Sequence, residues 1–354
     1  MKLGVVGLPG TGKSMLFNAI TKAGAEIGNY AFCTIKPNVG VVDVPDERLE
    51  KLAALYKSKK ITPATLRFVD ISGLVKGSSK GEGLGNKFLS HIRETDAVVH
   101  VVKCFGDAVN PLYDIETIET ELILADAETV STRLEKSRHL FQTGGKQYQF
   151  EFETLQKLSS LLNECMPVRA AKLTPEEKEY ADGMFLITAK PVIYAANIAE
   201  ADLGKSTAAV GAVREYAAKE NAQTFVICAK AEYELAQMSE EDRAEFGEVL
   251  NIRESGLSRL IKTGYETLGL ISYLTAGEKE TRAWTVEKGT KAPQAAGKIH
   301  SDFERGFIRA EIVPYDTLIE CGSYNNAKEK GKVRSEGKEY VIKDGDVVLF
   351  RFNV

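Results

Sequence analysis

The chain has 354 residues, 44% hydrophobic and 27% charged, enough for two or three domains with cores of their own. Its formal net charge of −4 (46 Lys+Arg against 50 Asp+Glu) excludes a chain-wide basic surface, so any nucleic-acid contact has to be a local patch. Five scattered cysteines with no Cys-x-x-Cys pair exclude a disulfide framework or zinc knuckle and point to a reducing, cytoplasmic setting. The opening MKLGVVGLPG does not read as a signal peptide, and no apolar run is long enough to span a bilayer.

In chain order, short apolar runs rich in β-branched residues predict strands at Leu3–Val6, Val39–Val42, Leu66–Val69, Ala97–Val102, Val192–Ala196 and Thr224–Cys228. Helix-period segments separate most of them, as at Asp46–Tyr56, where Leu49, Leu52, Ala53 and Tyr56 share one face. Such alternation predicts a doubly wound α/β domain on a mostly parallel sheet. Between Asp70 and Val192 the chain is about twice as long as two βα units require. The excess, about 128–188, predicts an inserted helical hairpin, Thr129–Phe141 and Gln147–Cys165 around a Gly144-Gly145 break, stopping at Pro167. From Leu270 the pattern changes. Strands are predicted at Glu280–Val286, Gly306–Ile312, Glu339–Ile342 and Val347–Phe352, the last two as a hairpin through Lys343–Asp346, with one helix over Ala295–Phe303.

The strongest chemical signal is Gly7-Leu8-Pro9-Gly10-Thr11-Gly12-Lys13-Ser14, a full G-x-x-x-x-G-K-[ST] between a strand and a helix. Its backbone N–H groups and helix N-terminus suit phosphate, Lys13 reaches the β/γ-phosphates, and the Ser14 hydroxyl suits Mg²⁺. Asp70-Ile71-Ser72-Gly73 ends a strand, placing a carboxylate near the metal and the Gly73 N–H near a γ-phosphate. These make Lys13, Asp70 and Gly73 the candidate catalytic groups. Thr34, just before the second strand, is the candidate metal ligand of a switch loop, and the glycine-rich 76–86 segment a second switch. After the Val192–Ala196 strand the chain reads Asn197-Ile198-Ala199-Glu200 where guanine readers carry Asn-Lys-x-Asp, and the next strand ends Cys228-Ala229-Lys230. Glu200 is one methylene too long for a two-pronged grip on guanine, which predicts a modest preference for adenine. Leu74 stands where many GTPases orient water with Gln, so slow basal hydrolysis is expected.

Together with the terminal Phe352-Asn353-Val354, these motifs resemble the YchF/Ola subfamily of Obg-like P-loop NTPases along essentially the whole chain. The resemblance implies a Ras-like, Obg-type nucleotide-binding domain at 1–127 and 189–269, an inserted coiled-coil hairpin at 128–188, and a β-grasp TGS domain at 270–354. It also implies ATP hydrolysis in preference to GTP and association with the ribosome, either the large subunit or the whole particle. Carried over by position, Gly10, Thr11, Gly12, Lys13, Ser14 and Met15 would hold ATP, Asn197, Ile198 and Ala229 the base, and Ser14 with Thr34 the Mg²⁺. Gly10 replaces the family's usual Asn, so little potassium activation is expected, and no histidine falls in Gly106–Pro111 to assist hydrolysis. The 270–354 segment carries 14 basic and 13 acidic residues, yet Lys328, Lys330, Lys332, Arg334 and Lys338 cluster in a run suited to ribosomal RNA phosphates. The competing readings are an Obg-type GTPase and an interaction protein with a mainly structural nucleotide.

Overall fold

The computed structural model describes residues 1–23, 38–71, 84–107, 109–239, 242 and 255–353. The chain forms two compact units, Met1–Val42 with Arg67–Leu260, and Asp43–Leu66 with Ile261–Val354.

The first unit is built on six strands, β1 (Lys2–Val6), β2 (Val39–Asp43), β4 (Thr65–Asp70), β5 (Ala97–Lys103), β6 (Val192–Asn197) and β7 (Gln223–Ile227), in spatial order β2-β4-β1-β5-β6-β7. All four pairs from β4 to β7 are parallel. Every residue of β6 is buried, as is nearly all of β5, because helices cover both faces of the sheet. This is the α/β arrangement expected from the strand pattern. Helices α1 (Lys13–Ala23), α3 (Leu84–Arg93), α4 (Pro111–Gly144), α7 (Ala208–Lys219) and α8 (Ala229–Leu235) belong to this unit. Ile92 of α3, Ile115, Ile118 and Leu122 of α4, and Val210 and Val213 of α7 share one core with β5 and β6.

The hairpin begins earlier than its composition suggests. α4 is one helix of 34 residues, capped by Asn110 with Pro111 in its first turn, and it runs straight through the expected boundary at 128. Its first half packs on the sheet, whereas Ile123 and Val130 pack against Leu155, Leu158 and Leu162 of α5 (Gln149–Asn163). Gly145, at φ 74°, turns the chain between them. A short α6 (Pro175–Asp182), opened by a Thr174–Glu177 capping box, completes the hairpin core through Ala181. The Asp126 carboxylate, fully buried, accepts from the Ile187 and Thr188 N–H groups and the Thr188 hydroxyl, anchoring α4 to the segment leading into β6.

The second unit is a mixed sheet in the order β11-β10-β12-β8-β9-β3. Its strands are β3 (Ile61–Thr62), β8 (Leu270–Ala276), β9 (Thr281–Glu287), β10 (Phe307–Pro314), β11 (Arg334–Glu336) and β12 (Asp346–Phe352). Helix α10 (Ala292–Ile299) buries Ala292, Ala295 and Ala296 against Tyr273, Phe307, Ala310, Ile312 and Phe350, the crossing helix of a β-grasp fold. Around the sheet lie α2 (Glu47–Tyr56), the C-terminal part of α9 (Gly256–Thr267), α11 (Ser301–Arg305), α12 (Tyr315–Cys321) and α13 (Tyr324–Glu329).

Four local expectations are corrected here. Residues 43–66, placed by sequence with the nucleotide domain, cluster with this unit: α2 packs on β8 and β9, and β3 extends the sheet beside β9. Leu270–Ala276 is itself a strand, β8. Residues 339–342 do not form a hairpin with β12. Val341 instead bridges Lys291 alone, while β11 at 334–336 pairs with β10. The Ala295–Phe303 helix is two helices, because His300 is extended (ψ 144°) and its Nδ1 accepts from the Asp302 N–H to start α11.

Candidate functional site

β1 feeds the phosphate loop. Leu3, Val5 and Val6 are fully buried between β4 and β5, so the chain leaves the C-terminal edge of the sheet at a fixed point and direction. The loop then folds on itself, with the Thr11 N–H (3.3 Å) and hydroxyl (2.9 Å) both donating to the Leu8 carbonyl. Gly10 (φ 80°) and Gly12 (φ 86°) are left-handed, where a side chain is strained. At Gly12 a Cβ would also run into the Asn197 amide. Leu16 N–H donates to the Gly12 carbonyl as α1 begins. The N–H groups of this helix start and its positive dipole end suit an anion.

The candidate residues fall into distinct roles. Lys13 forms an ion pair with the Asp70 carboxylate at the end of β4, both side chains about nine-tenths buried. Ser14 and Met15 are exposed on the first turn of α1. Asn197 is buried at the end of β6; its Nδ2 donates to the Thr11 carbonyl (2.8 Å) and its Oδ1 accepts from the Ala229 N–H (2.9 Å). One side chain therefore joins the phosphate loop to the segment after β7. Asn197 is a tie between loops first, with one N–H hydrogen and one lone pair left for a base. The Ile198 side chain lies in the sheet core with Val210 and Cys228, and its N–H donates to the Ile227 carbonyl (2.8 Å). Ala229, at the start of α8, contributes its buried N–H to the tie. Thr34, Gly73 and Leu74, and the glycine-rich stretch up to residue 83, lie outside the described residues.

One contact escaped sequence reasoning. The Glu200 carboxylate meets Lys230 Nζ at 2.7 Å, joining the segment after β6 to the first turn of α8, which follows β7. Lys230 also lies 3.8 Å from Glu234, and Glu200 holds the Lys230 amine above its usual pKa. The available signal was opposite charge on two segments that neighbouring parallel strands must bring together.

Mg²⁺ is a hard cation served by oxygen ligands. The side-chain oxygens here, the Ser14 hydroxyl and the Asp70 carboxylate, fit it, and among the described residues no His/Cys cluster offers a softer metal a site.

Known proteins resemble the chain along its whole length. A family model described as a 50S ribosome-binding GTPase matches residues 2–136, and a YchF GTPase C-terminal model, described as a protein of unknown function, matches 270–353. The Ribosome-binding ATPase YchF of Bacillus subtilis (strain 168) is 54% identical over 99% of both chains. The chain belongs to the YchF family. A second YchF, from Escherichia coli O157:H7 and also described as a ribosome-binding ATPase, is 48% identical over 100% of this chain and 99% of its own. A solved YchF, described as the Schizosaccharomyces pombe YchF GTPase, superposes with a TM-score of 0.89 at 38% identity, covering 99% of this chain and 97% of that one. The YchF match thus takes in the P-loop domain, the hairpin and the β-grasp unit together.

Proposed function

We propose that the chain binds ATP with Mg²⁺ in the Gly7–Ser14 cradle, hydrolyses it slowly to ADP and phosphate, and acts as a nucleotide-operated switch at the ribosome in the cytoplasm. The observation that supports this reading is the Thr11–Asn197–Ala229 tie, which joins the Gly7–Ser14 loop to the chain after β6 and β7. The names of the end-to-end relatives, ribosome-binding ATPases, supply the partner and the reaction.

Lys13 would exchange Asp70 for the β- and γ-phosphates, and the loop N–H groups would hold the phosphate oxygens. Ser14 and Thr34 would hold Mg²⁺ with Asp70 close by, and the cation when bound neutralises charge on the phosphate oxygens. Water attacks the γ-phosphorus in line, with the Gly73 N–H at the γ-phosphate. Leu74 cannot orient that water, so turnover without a partner should be slow. Adenine is favoured because Glu200 is occupied by Lys230, and its carboxylate is not presented to the two donors of guanine. The basic run from Lys328 to Lys338, with the hairpin, would contact ribosomal RNA through phosphate.

Titration calorimetry with ATP and GTP, with and without ribosomes, tests this: ATP should bind more tightly, and Ser14→Ala should weaken Mg²⁺-ATP. Tenfold tighter GTP would overturn the base reading in favour of an Obg-type GTPase, which the description of the N-terminal family model favours. Cellular function that survives loss of hydrolysis in Lys13→Ala would favour a structural nucleotide.

A further inference from the structure

The β-grasp unit contains a half-open cavity of about 390 Å³ whose lining includes Tyr56, Trp284, Phe303, Tyr324, Leu349 and Phe350. Its origin is in the sheet. β8 pairs with β9, and β10 with β12, along seven positions each, but β8 and β12 share a single bridging pair, Leu274 and Val347. Past that pair the lining takes Thr275 and Ala276 from β8 and Val348, Leu349 and Phe350 from β12, so the gap opens where the two strands part. The volume lies at the low end for small-molecule sites. Its walls are mostly carbon, and the Thr275 hydroxyl already accepts from Trp284 Nε1 (3.0 Å). Such walls, five of their residues aromatic, suit a flat apolar ring.

The margin is cationic. The Arg282 guanidinium lies 4.0 Å from the Trp284 ring centre. On the side of Tyr324, whose hydroxyl donates to Glu311 (2.8 Å), Arg309 and Arg351 both pair with that one carboxylate, leaving the group net positive. Lys328 stands four residues after Tyr324 on α13, on the same helix face, and opens the basic run. An apolar peptide side chain would have no use for this rim, whereas a flat ring carrying a phosphate would.

We infer that this cavity takes a nucleobase still attached to its phosphate, offered by an unpaired stretch of RNA or by a free nucleotide. A base inside a duplex is already stacked and cannot enter. The RNA source rests on reading the basic run as an RNA contact.

Trp284 is the sole tryptophan of the chain, so its emission reports on this cavity. The full chain, with no other nucleotide added, is titrated with single-stranded oligouridylate, with uridine monophosphate and with an RNA duplex, following both Trp284 emission and filter retention. The single strand should quench Trp284 to saturation and the duplex should not. Ala276→Phe, which fills the gap, and Tyr324→Leu, which strips one wall, should each weaken the quench roughly tenfold or more. Both variants are checked for an unchanged melting transition. Equal quenching by the monophosphate would support the base site and assign it to free nucleotides. Salt-sensitive RNA retention, weakened by Lys328→Glu with Trp284 emission unmoved, would keep the basic run as an RNA surface and overturn the cavity. Retention indifferent to Lys328→Glu would count against the basic run instead. Quenching by an aromatic peptide where neither nucleotide probe acts would also overturn the inference.

Discussion

Two ionic clusters, one in each unit, are near mirror images in composition and opposites in setting. In the first unit a single cation, Arg169, serves two acids, Glu119 at 2.8 Å and Glu220 at 2.7 Å, and the Tyr194 hydroxyl donates to Glu220 (3.1 Å). All are buried or nearly so, and the group is one negative charge in excess. In the second unit a single acid, Glu311, serves two cations, Arg309 and Arg351, whose side chains are about half exposed, and Tyr324 again donates its hydroxyl. The carboxylates respond in opposite directions. Burial, the largest influence, pushes Glu119 above its usual range despite Arg169, whereas the Arg351 hydrogen bond leads in holding Glu311 down to about 2. The same chemistry is thus a structural commitment where water is excluded and a charged rim where water reaches it.

The comparison can be broken most directly at Arg169. Arg169→Met leaves two buried carboxylates facing each other and should lower unfolding free energy by about 3–5 kcal/mol. Replacing Glu119 and Glu220 by Met as well should restore much of that in urea denaturation, and a loss under ~1 kcal/mol for Arg169→Met would show that water reaches the cluster.

Acid sharpens it. His100, buried with its ring centre 5.6 Å from that of Tyr194, is held down to about 3 by burial and then by the Arg169 charge. Below its ordinary value near 6.5 the unfolded chain takes up the proton and the folded chain does not. Stability present above that pH is therefore lost as pH falls towards 3, by about 3 kcal/mol between pH 6.5 and 4. Glu119, shifted upwards, acts in the opposite sense, so the readout is the difference from His100→Gln, whose denaturation should be correspondingly less acid-sensitive. Equal pH slopes would reject a buried neutral imidazole.

The smallest effect belongs to Glu311. Its depressed value makes a contribution that is present above about pH 4.5 and fades as pH falls towards 2. With partners half in water, Glu311→Gln should cost less than ~1 kcal/mol at pH 7, and less again in 1 M salt. A loss as large as that at Arg169, read from melting curves, would erase the contrast between the clusters.

How far each feature was legible follows the same divide between local and distant causes. The strands of the first sheet announced themselves because both faces are buried, leaving near-continuous apolar runs at β1, β5 and β6. The phosphate loop was legible because Gly10, Gly12, Lys13 and Ser14 act within one turn of chain. The Glu200–Lys230 pair was not, since 30 residues separate its members and only the strand order joins them. Residues 339–342 carry sound strand and turn chemistry, with Lys343 N–H donating to the Asp346 carboxylate (2.9 Å). Their partner is nevertheless the stretch before α10, with Ile342 N–H donating to the Thr290 carbonyl (2.9 Å), a choice no local pattern encodes. α2 was found as a helix for its Leu49–Leu52–Ala53 face, but the surface that covers this face lies far along the chain.

That last placement has a consequence for synthesis. The Ser58 hydroxyl meets that of Thr281, 223 residues later, and β3 pairs with the strand that Thr281 begins. At translation rates of about 5–20 residues per second, α2 and β3 wait roughly 10–45 s on the emerging chain before their partner exists. Throughout that interval the apolar face of α2 has no native cover, while the chain of the first unit is already being completed. The β-grasp unit is therefore closed last, by a segment made among the first, and a nascent chain arrested before β9 would carry a bare helix face for chaperones to hold.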